Sequence, residues 1–197
     1  WRVEISEGII YLIIDQTKLY KSTDQGRTWQ FISLPVWNSG LQALSAFSSK
    51  ILSVKSYPNL LSSYDGGLNW ISGPVIENIW WKSTSIGDPG LIIGVGIYYD
   101  STGQKGFIYR TSDYGMSWHI IDTDKELTRV KMKTKDIGYA NSLKTIYKTS
   151  DSGLSWSSIL TAKKEGSFYQ MDFLDSVKGT IIDAYKMMQT KKKKKNW

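Results

Sequence analysis

The sequence predicts an all-β chain of four-stranded antiparallel sheets set around an axis, a β-propeller, and three observations carry that expectation. An eight-residue stretch is written four times: Ser22-Thr23-Asp24-Gln25-Gly26-Arg27-Thr28-Trp29 recurs as Ser63 to Trp70, Thr111 to Trp118 and Thr149 to Trp156. The four Trp residues, Trp29, Trp70, Trp118 and Trp156, are spaced by 41, 48 and 38 residues. Strand-rich units at intervals of about 40–50 residues are the mark of propeller blades. Helical periodicity is nearly absent, whereas short apolar runs bounded by Gly, Ser, Asp and Pro are frequent.

The residue types explain the stretch as a corner between two strands. Turn N–H groups have no ladder partner and must be satisfied locally. Asp24, Asp65, Asp113 and Asp151 can accept those bonds, helped by the hydroxyls of Ser22, Ser63, Thr111 and Thr149 two residues earlier. Gly26, Gly67, Gly115 and Gly153 supply a positive φ. The Trp opens the return strand and is expected to be driven into a core, where truncation to Ala costs about 3–5 kcal/mol.

Between the corners the elements fall in order. Trp1 to Ser6 reads as a strand, either the first of its sheet or a return strand completing another. Gly8 to Asp15 and Thr17 to Lys21 lead into the first corner, and Trp29 to Leu34 leaves it. Leu41 to Phe47, Lys50 to Lys55 and Asn59 to Ser62 precede the second corner. Ile76 to Lys82, Gly90 to Tyr99 and Gly106 to Arg110 precede the third, with the extra residues of this longest unit expected in loops at Ser83 to Pro89 and Asp100 to Lys105. Leu127 to Met132, Gly138 to Ser142 and Thr145 to Lys148 make the fourth unit, and Ser167 to Phe173, Val177 to Asp183 and Tyr185 to Thr190 a fifth. Trp197 lies 41 residues after Trp156, but Lys192 and Lys194 replace the Asp and Gly of the motif. With no linker in sight, residues 1–197 read as one propeller domain or portion, with repeats at about 1–34, 35–75, 76–123, 124–161 and 162–197. Closure as a five-bladed ring and an arc of a six- to eight-bladed propeller are both open, the damaged fifth corner leaning towards the arc.

The motif resembles the Asp-box, or bacterial neuraminidase repeat, of sialidases, sortilin-type receptors, some β-glucan hydrolases and the photosystem II assembly-factor family. Asp136-Ile137-Gly138-Tyr139-Ala140 followed by Ile146-Tyr147-Lys148-Thr149-Ser150-Asp151 looks most like the last of these. In such families the box is a structural corner away from the central site, so the resemblance implies a fold and leaves the activity open.

Composition narrows the function. The net charge is +7, but Lys191 to Lys195 supply five of those charges and leave +2 for the rest; a block of like charges reads as a solvated run, and nucleic acid is not the expected partner. There is no Cys, hence no disulfide argument. No apolar run reaches the length of a membrane span, about 18 residues. The chain starts at Trp1, so the lack of a signal peptide carries no weight.

No catalytic constellation is legible. A sialidase needs converging arginines, and the four present are Arg2, Arg27, Arg110 and Arg129, without the Arg-Ile-Pro signature. A glycosidase needs two carboxylates across a cleft, and the spacing of Glu77, Asp88, Asp172 and Asp175 pairs none of them. His119 is the sole His, so neither a metal site nor a triad has a supporting cast. The corner Asp residues have too few oxygens nearby for calcium. No metal and no cofactor are therefore expected.

Binding is the better-supported expectation. Propeller ligands meet the face formed by loops between blades and between second and third strands, here Leu34 to Gly40, Gly73 to Ile76, Asp122 to Glu126 and Thr161 to Ser167, with Tyr57 to Asn59 and Tyr99 to Lys105. Trp37 lies in such a loop. Trp80 and Trp81 are adjacent in a strand and must point to opposite faces, and Tyr98 and Tyr99 repeat that arrangement. These five aromatics are the candidate contacts for a protein or glycan. The expected function is a noncatalytic interaction or assembly module on an exported or cell-surface protein. The alternative is part of a carbohydrate-active propeller.

Overall fold

The computed structural model describes residues 2–35, 40–56, 59–73, 75, 79–162, 167–173, 179–183 and 187–189. Trp37, Trp197 and the lysine run lie outside them. Every helix or strand among these residues is a strand, and every sheet is antiparallel. The first sheet is β1 (Arg2–Ser6), β2 (Ile9–Ile14), β3 (Lys18–Ser22) and β4 (Gln30–Ile32); the second is β5 (Leu41–Ala46), β6 (Leu52–Ser56), β7 (Asn59–Ser63) and β8 (Ile71–Ser72). The third comprises β9 (Ile79–Asp88), β10 (Leu91–Asp100), β11 (Gly103–Thr111) and β12 (His119–Thr123), and the fourth β13 (Arg129–Met132), β14 (Gly138–Asn141), β15 (Thr145–Thr149) and β16 (Ser157–Thr161). A fifth has three described strands, β17 (Phe168–Phe173), β18 (Gly179–Asp183) and β19 (Met187–Gln189).

Strands follow one another in each sheet in chain order, and the first strands β1, β5, β9, β13 and β17 contact each other in succession. They are the inner strands. Arg2–Ser6 is thus the innermost strand of its own sheet, not a return strand completing another. The residues expected as a loop at Ser83 to Pro89 mostly continue β9 to Asp88 instead, because β10 offers them a ladder partner as far as Leu91. The third sheet absorbs its extra length in ten-residue strands β9 and β10.

The four corners share one hydrogen-bond plan. The hydroxyl of Ser22, Ser63, Thr111 or Thr149 donates to the Asp at 2.7–2.9 Å and accepts the glycine N–H at 2.8–2.9 Å. The same Asp accepts the N–H of Thr28, Asn69, Ser117 or Ser155 at 2.9 Å, and each of those side chains returns a bond to its second oxygen. These bonds favour the ionised Asp. The hydroxyl of Thr28 and that of Ser117 are the largest influence on Asp24 and Asp113, drawing each down to about 2. The corner uses two left-handed residues, not one: Gln25, Gly66, Tyr114 and Ser152 have φ of 61–77° and precede the glycines.

Two of these glycines serve a second purpose. A Cβ on Gly67 would lie 2.7 Å from Ile32 of the preceding sheet, and one on Gly153 would collide with Ile93. The corner of one sheet is therefore pressed against its predecessor. The Trp residues act at the same junctions. Trp70 packs on the cluster of Tyr11, Ile13, Leu19 and Val54 between the first two sheets, Trp118 on that of Leu60, Trp81, Phe107 and Tyr109 between the second and third, and Trp156 on that of Ile93, Val95, Val130 and Ala140 between the third and fourth. They are half-buried lids over seams and not core residues, because the corner that carries them stands at the edge of the sheet. Tyr139, Ile146, Phe168, Met171 and Ile181 fill the fourth seam.

Candidate functional site

Alternation along a strand sends every second side chain to the same side. In the inner strands those positions carry Arg2 and Glu4, Ala43 and Ser45, Arg129 and Lys131, and Gln170 and Asp172; β9 contributes Lys82, at a bulge that interrupts its alternation, and Thr84. All ten line one axial cavity of about 360 Å³, to which all five sheets contribute. The residues between them, such as Val130 and Met171, enter the seams.

The cavity is polar, with an excess of positive charge. Lys131 Nζ meets Glu4 Oε1 at 3.4 Å, across two sheets that are not consecutive. Burial is the largest influence on the Glu4 carboxyl and raises its pKa; Lys131 works against that shift and the charge of Asp172 adds to it. Arg129 donates from Nε to Tyr169 O at 2.8 Å. Burial lowers its pKa first, and the charge of Arg2 second. Two guanidiniums that repel each other beside Lys82 create a local positive potential, strengthened where water is partly excluded.

Beside Lys82 of the cavity stands an exposed aromatic pair. Trp80, at the start of β9, is 59% exposed, and Tyr99, at the end of β10, is 48% exposed. Their rings meet edge to face at 5.9 Å, and Lys82 Nζ lies 5.5 Å from the Trp80 ring centroid. Tyr99 donates its hydroxyl to Gln104 Oε1 at 2.7 Å, which fixes the ring across the β10–β11 hairpin. Lys105 and Asp100 are paired at 2.7 Å in that hairpin. This end of the sheets is opposite to the corners.

Trp81 and Tyr98 point elsewhere. Trp81 is 4% exposed, lies edge to face on Phe107 and Tyr109, and leaves the set of surface candidates. The site for its ring is prepared by Gly94, where any Cβ would collide with it. Tyr98 is half-buried, and its hydroxyl donates to Asp122 Oδ1 at 3.2 Å. Among the arginines, Arg110 is buried and donates from Nε to Ser152 O of the next sheet's corner at 2.8 Å, a structural tie. His119 is exposed. Among the described residues no three of His, Cys, Asp and Glu come together as a metal cluster, and no helix is long and apolar enough to cross a membrane. Of the charged cavity residues, the sequence marks only Asp172 for its chemistry; Arg2 and Arg129 enter there only as too few arginines for a sialidase. The signal was present as polar residues close together in the first strand of four of the five repeats, the second presenting Ala43 and Ser45.

This architecture is a β-propeller, and solved structures share it. The chain is similar to the GH74 xyloglucanase from Xanthomonas campestris (14% identity, 96% of this chain and 36% of that chain covered, TM-score 0.63). It is similar to a protein of unknown function from Bacteroides caccae (11% identity, 95% and 70% covered, TM-score 0.61) and to YCF48 from Cyanidioschyzon merolae (14% identity, 95% and 80% covered, TM-score 0.49). At these identities the likeness to the xyloglucanase and the Bacteroides caccae protein is one of fold. No protein-family model matches the chain, and no curated protein sequence does.

Proposed function

We propose that the chain is a noncatalytic Asp-box propeller that binds another protein at the mouth of its axial cavity, through an anionic group seated between Arg2, Lys82 and Arg129. The observation that carries this reading is the convergence of those cations beside an exposed aromatic pair, Trp80 and Tyr99. Guanidiniums match carboxylates in bidentate geometry, and Trp and Tyr give contact area at low entropic cost. An extended segment entering with a carboxylate first would satisfy both. The test is binding to immobilised acidic peptides, with their neutral amidated counterparts as controls. Arg129→Gln and the pair Trp80→Ala with Tyr99→Ala should each weaken binding at least tenfold with melting unchanged. Equal binding of acidic and neutral peptides would overturn the reading.

A second reading has its own observation. Glu4, with its raised pKa, and Asp172 face one cavity, the arrangement by which a glycosidase separates its acid from its ionised carboxylate. Lys131 opposes it, since it favours the charged form of Glu4. Turnover of a β-glucan that Glu4→Gln abolishes would favour this reading over the first.

A further inference from the structure

The charges in the axial cavity are sorted by level. Bonds between inner strands set the levels: Ser83 Oγ donates to Val130 O at 3.5 Å, the Met132 N–H to Ser85 Oγ at 2.9 Å, and Arg129 Nε to Tyr169 O at 2.8 Å. Lys82, Arg129 and Gln170 therefore share one level, and Thr84, Lys131 and Asp172 the next. The Lys131–Glu4 pair at 3.4 Å places Glu4 on the second level and Arg2, two residues earlier on the same strand, on the first. Among the described residues lining the cavity, the first level thus holds three cations and no carboxylate, while the second holds both carboxylates and one lysine. Two residues of strand span about 7 Å, so an anion seated between Arg2, Lys82 and Arg129 stands one level from Glu4.

Resting on the anion-binding reading above, we propose that a bound anion and a proton on Glu4 favour each other, so that the site tightens as the solution is acidified. Like charges one level apart repel, and an anion on the first level therefore favours the neutral acid on the second. By reciprocity the neutral acid favours the anion. It also frees Lys131 from its ion pair, and the excess of cations over carboxylates lining the cavity grows from two to three. Glu4 is prepared for this exchange: burial, the largest influence on it, and the charge of Asp172 raise its pKa, while Lys131 and the Ala46 N–H hold the charged form. In the complex that pKa climbs further, and a proton is taken up wherever pH lies between the free and bound values. Affinity is lowest above both, climbs as pH falls through them and levels off below. Of the other groups facing Glu4, Tyr11 is its register partner on β2, and the buried Lys55 is in register with Ala43 of the second sheet. Burial pushes Tyr11 up to about 12 and Lys55 down to about 8, so neither supplies a climb on the acid side of neutrality.

The experiment is calorimetric titration of the whole chain with sodium sulfate at fixed ionic strength, from about pH 7 to about pH 5, where the charge of sulfate is constant and carboxyls with raised pKa values titrate. Wild type should bind about tenfold more tightly at the acid end. Heats measured in buffers of different ionisation enthalpy should report proton uptake, a readout that needs no variant. Glu4→Gln, which has the shape of the neutral acid, should bind at the neutral end as tightly as wild type does at the acid end, with its pH dependence lost. Asp172→Asn removes the like charge and should move the climb to lower pH without abolishing it. A circular dichroism melt shows that each variant is folded. Sulfate binding without proton uptake would overturn the coupling and leave the anion site standing, and so would uptake that persists in Glu4→Gln and therefore belongs to another group. No sulfate bound at any pH would overturn the coupling together with the seat between Arg2, Lys82 and Arg129.

Discussion

The two ends of this propeller follow opposite rules. At the corner end, four sheets carry the same turn with the same hydrogen bonds, so that Ser22, Ser63, Thr111 and Thr149 are interchangeable in role. At the other end nothing repeats: the third sheet alone extends into ten-residue strands and carries Trp80 and Tyr99, and the cavity takes a different pair of side chains from each inner strand. Repetition marks what every sheet needs in order to join its neighbour. Singularity marks what no sheet needs for joining its neighbour.

Trp80 and Trp81 put the two rules side by side, one residue apart. Trp81→Ala should be the largest lesion, costing about 3–5 kcal/mol, because a buried aromatic leaves a cavity between the second and third sheets. Trp80→Ala should stay within about 0.5 kcal/mol of wild type in a denaturant melt, as exposed substitutions do. Equal costs for the two would erase the distinction between seam and mouth. The corner is tested next by Thr149→Val, which conserves shape but leaves the buried Gly153 N–H without its acceptor. The expected loss is about 1–3 kcal/mol, with binding at the mouth unchanged.

The smallest effect is on pH dependence. Asp24 and Asp113 are held near 2 in the folded chain, against an ordinary value of 3.8. A depressed carboxyl contributes stability that is complete above its unfolded pKa and disappears as pH falls through the folded one. Thermal melts should therefore drop between about pH 4 and pH 2, and Asp113→Asn should flatten part of that drop. Lys55 runs the other way at high pH. Burial lowers it to about 8 from 10.5, so its ionisation opposes folding and stability should rise between those values. Lys55→Met should remove that rise.

The corners were legible because all their physics lies within eight residues. Hydroxyl, carboxylate, glycine and tryptophan meet through bonds between positions two, three and four apart, and the chain has to spell them each time. Trp80 and Trp81 were legible as a pair that must diverge, since strand alternation is also local. Which of them was buried depended on Gly94 in the next strand and Tyr109 in the one after it. Their partition could be read only from the pairing.

By itself, then, the sequence determined the repeat and the four joints, which are satisfied by neighbours along the chain. Only the tertiary structure decided the cavity. Glu4 and Lys131 are 127 positions apart, and nothing in either strand names the other. They meet because sheets stacked through local joints turn about a common axis, and every inner strand must then present one face to the same small volume. Charges gathered in that way have no spacing to betray them. Their proximity is a property of the stacked sheets together and not of any segment in them.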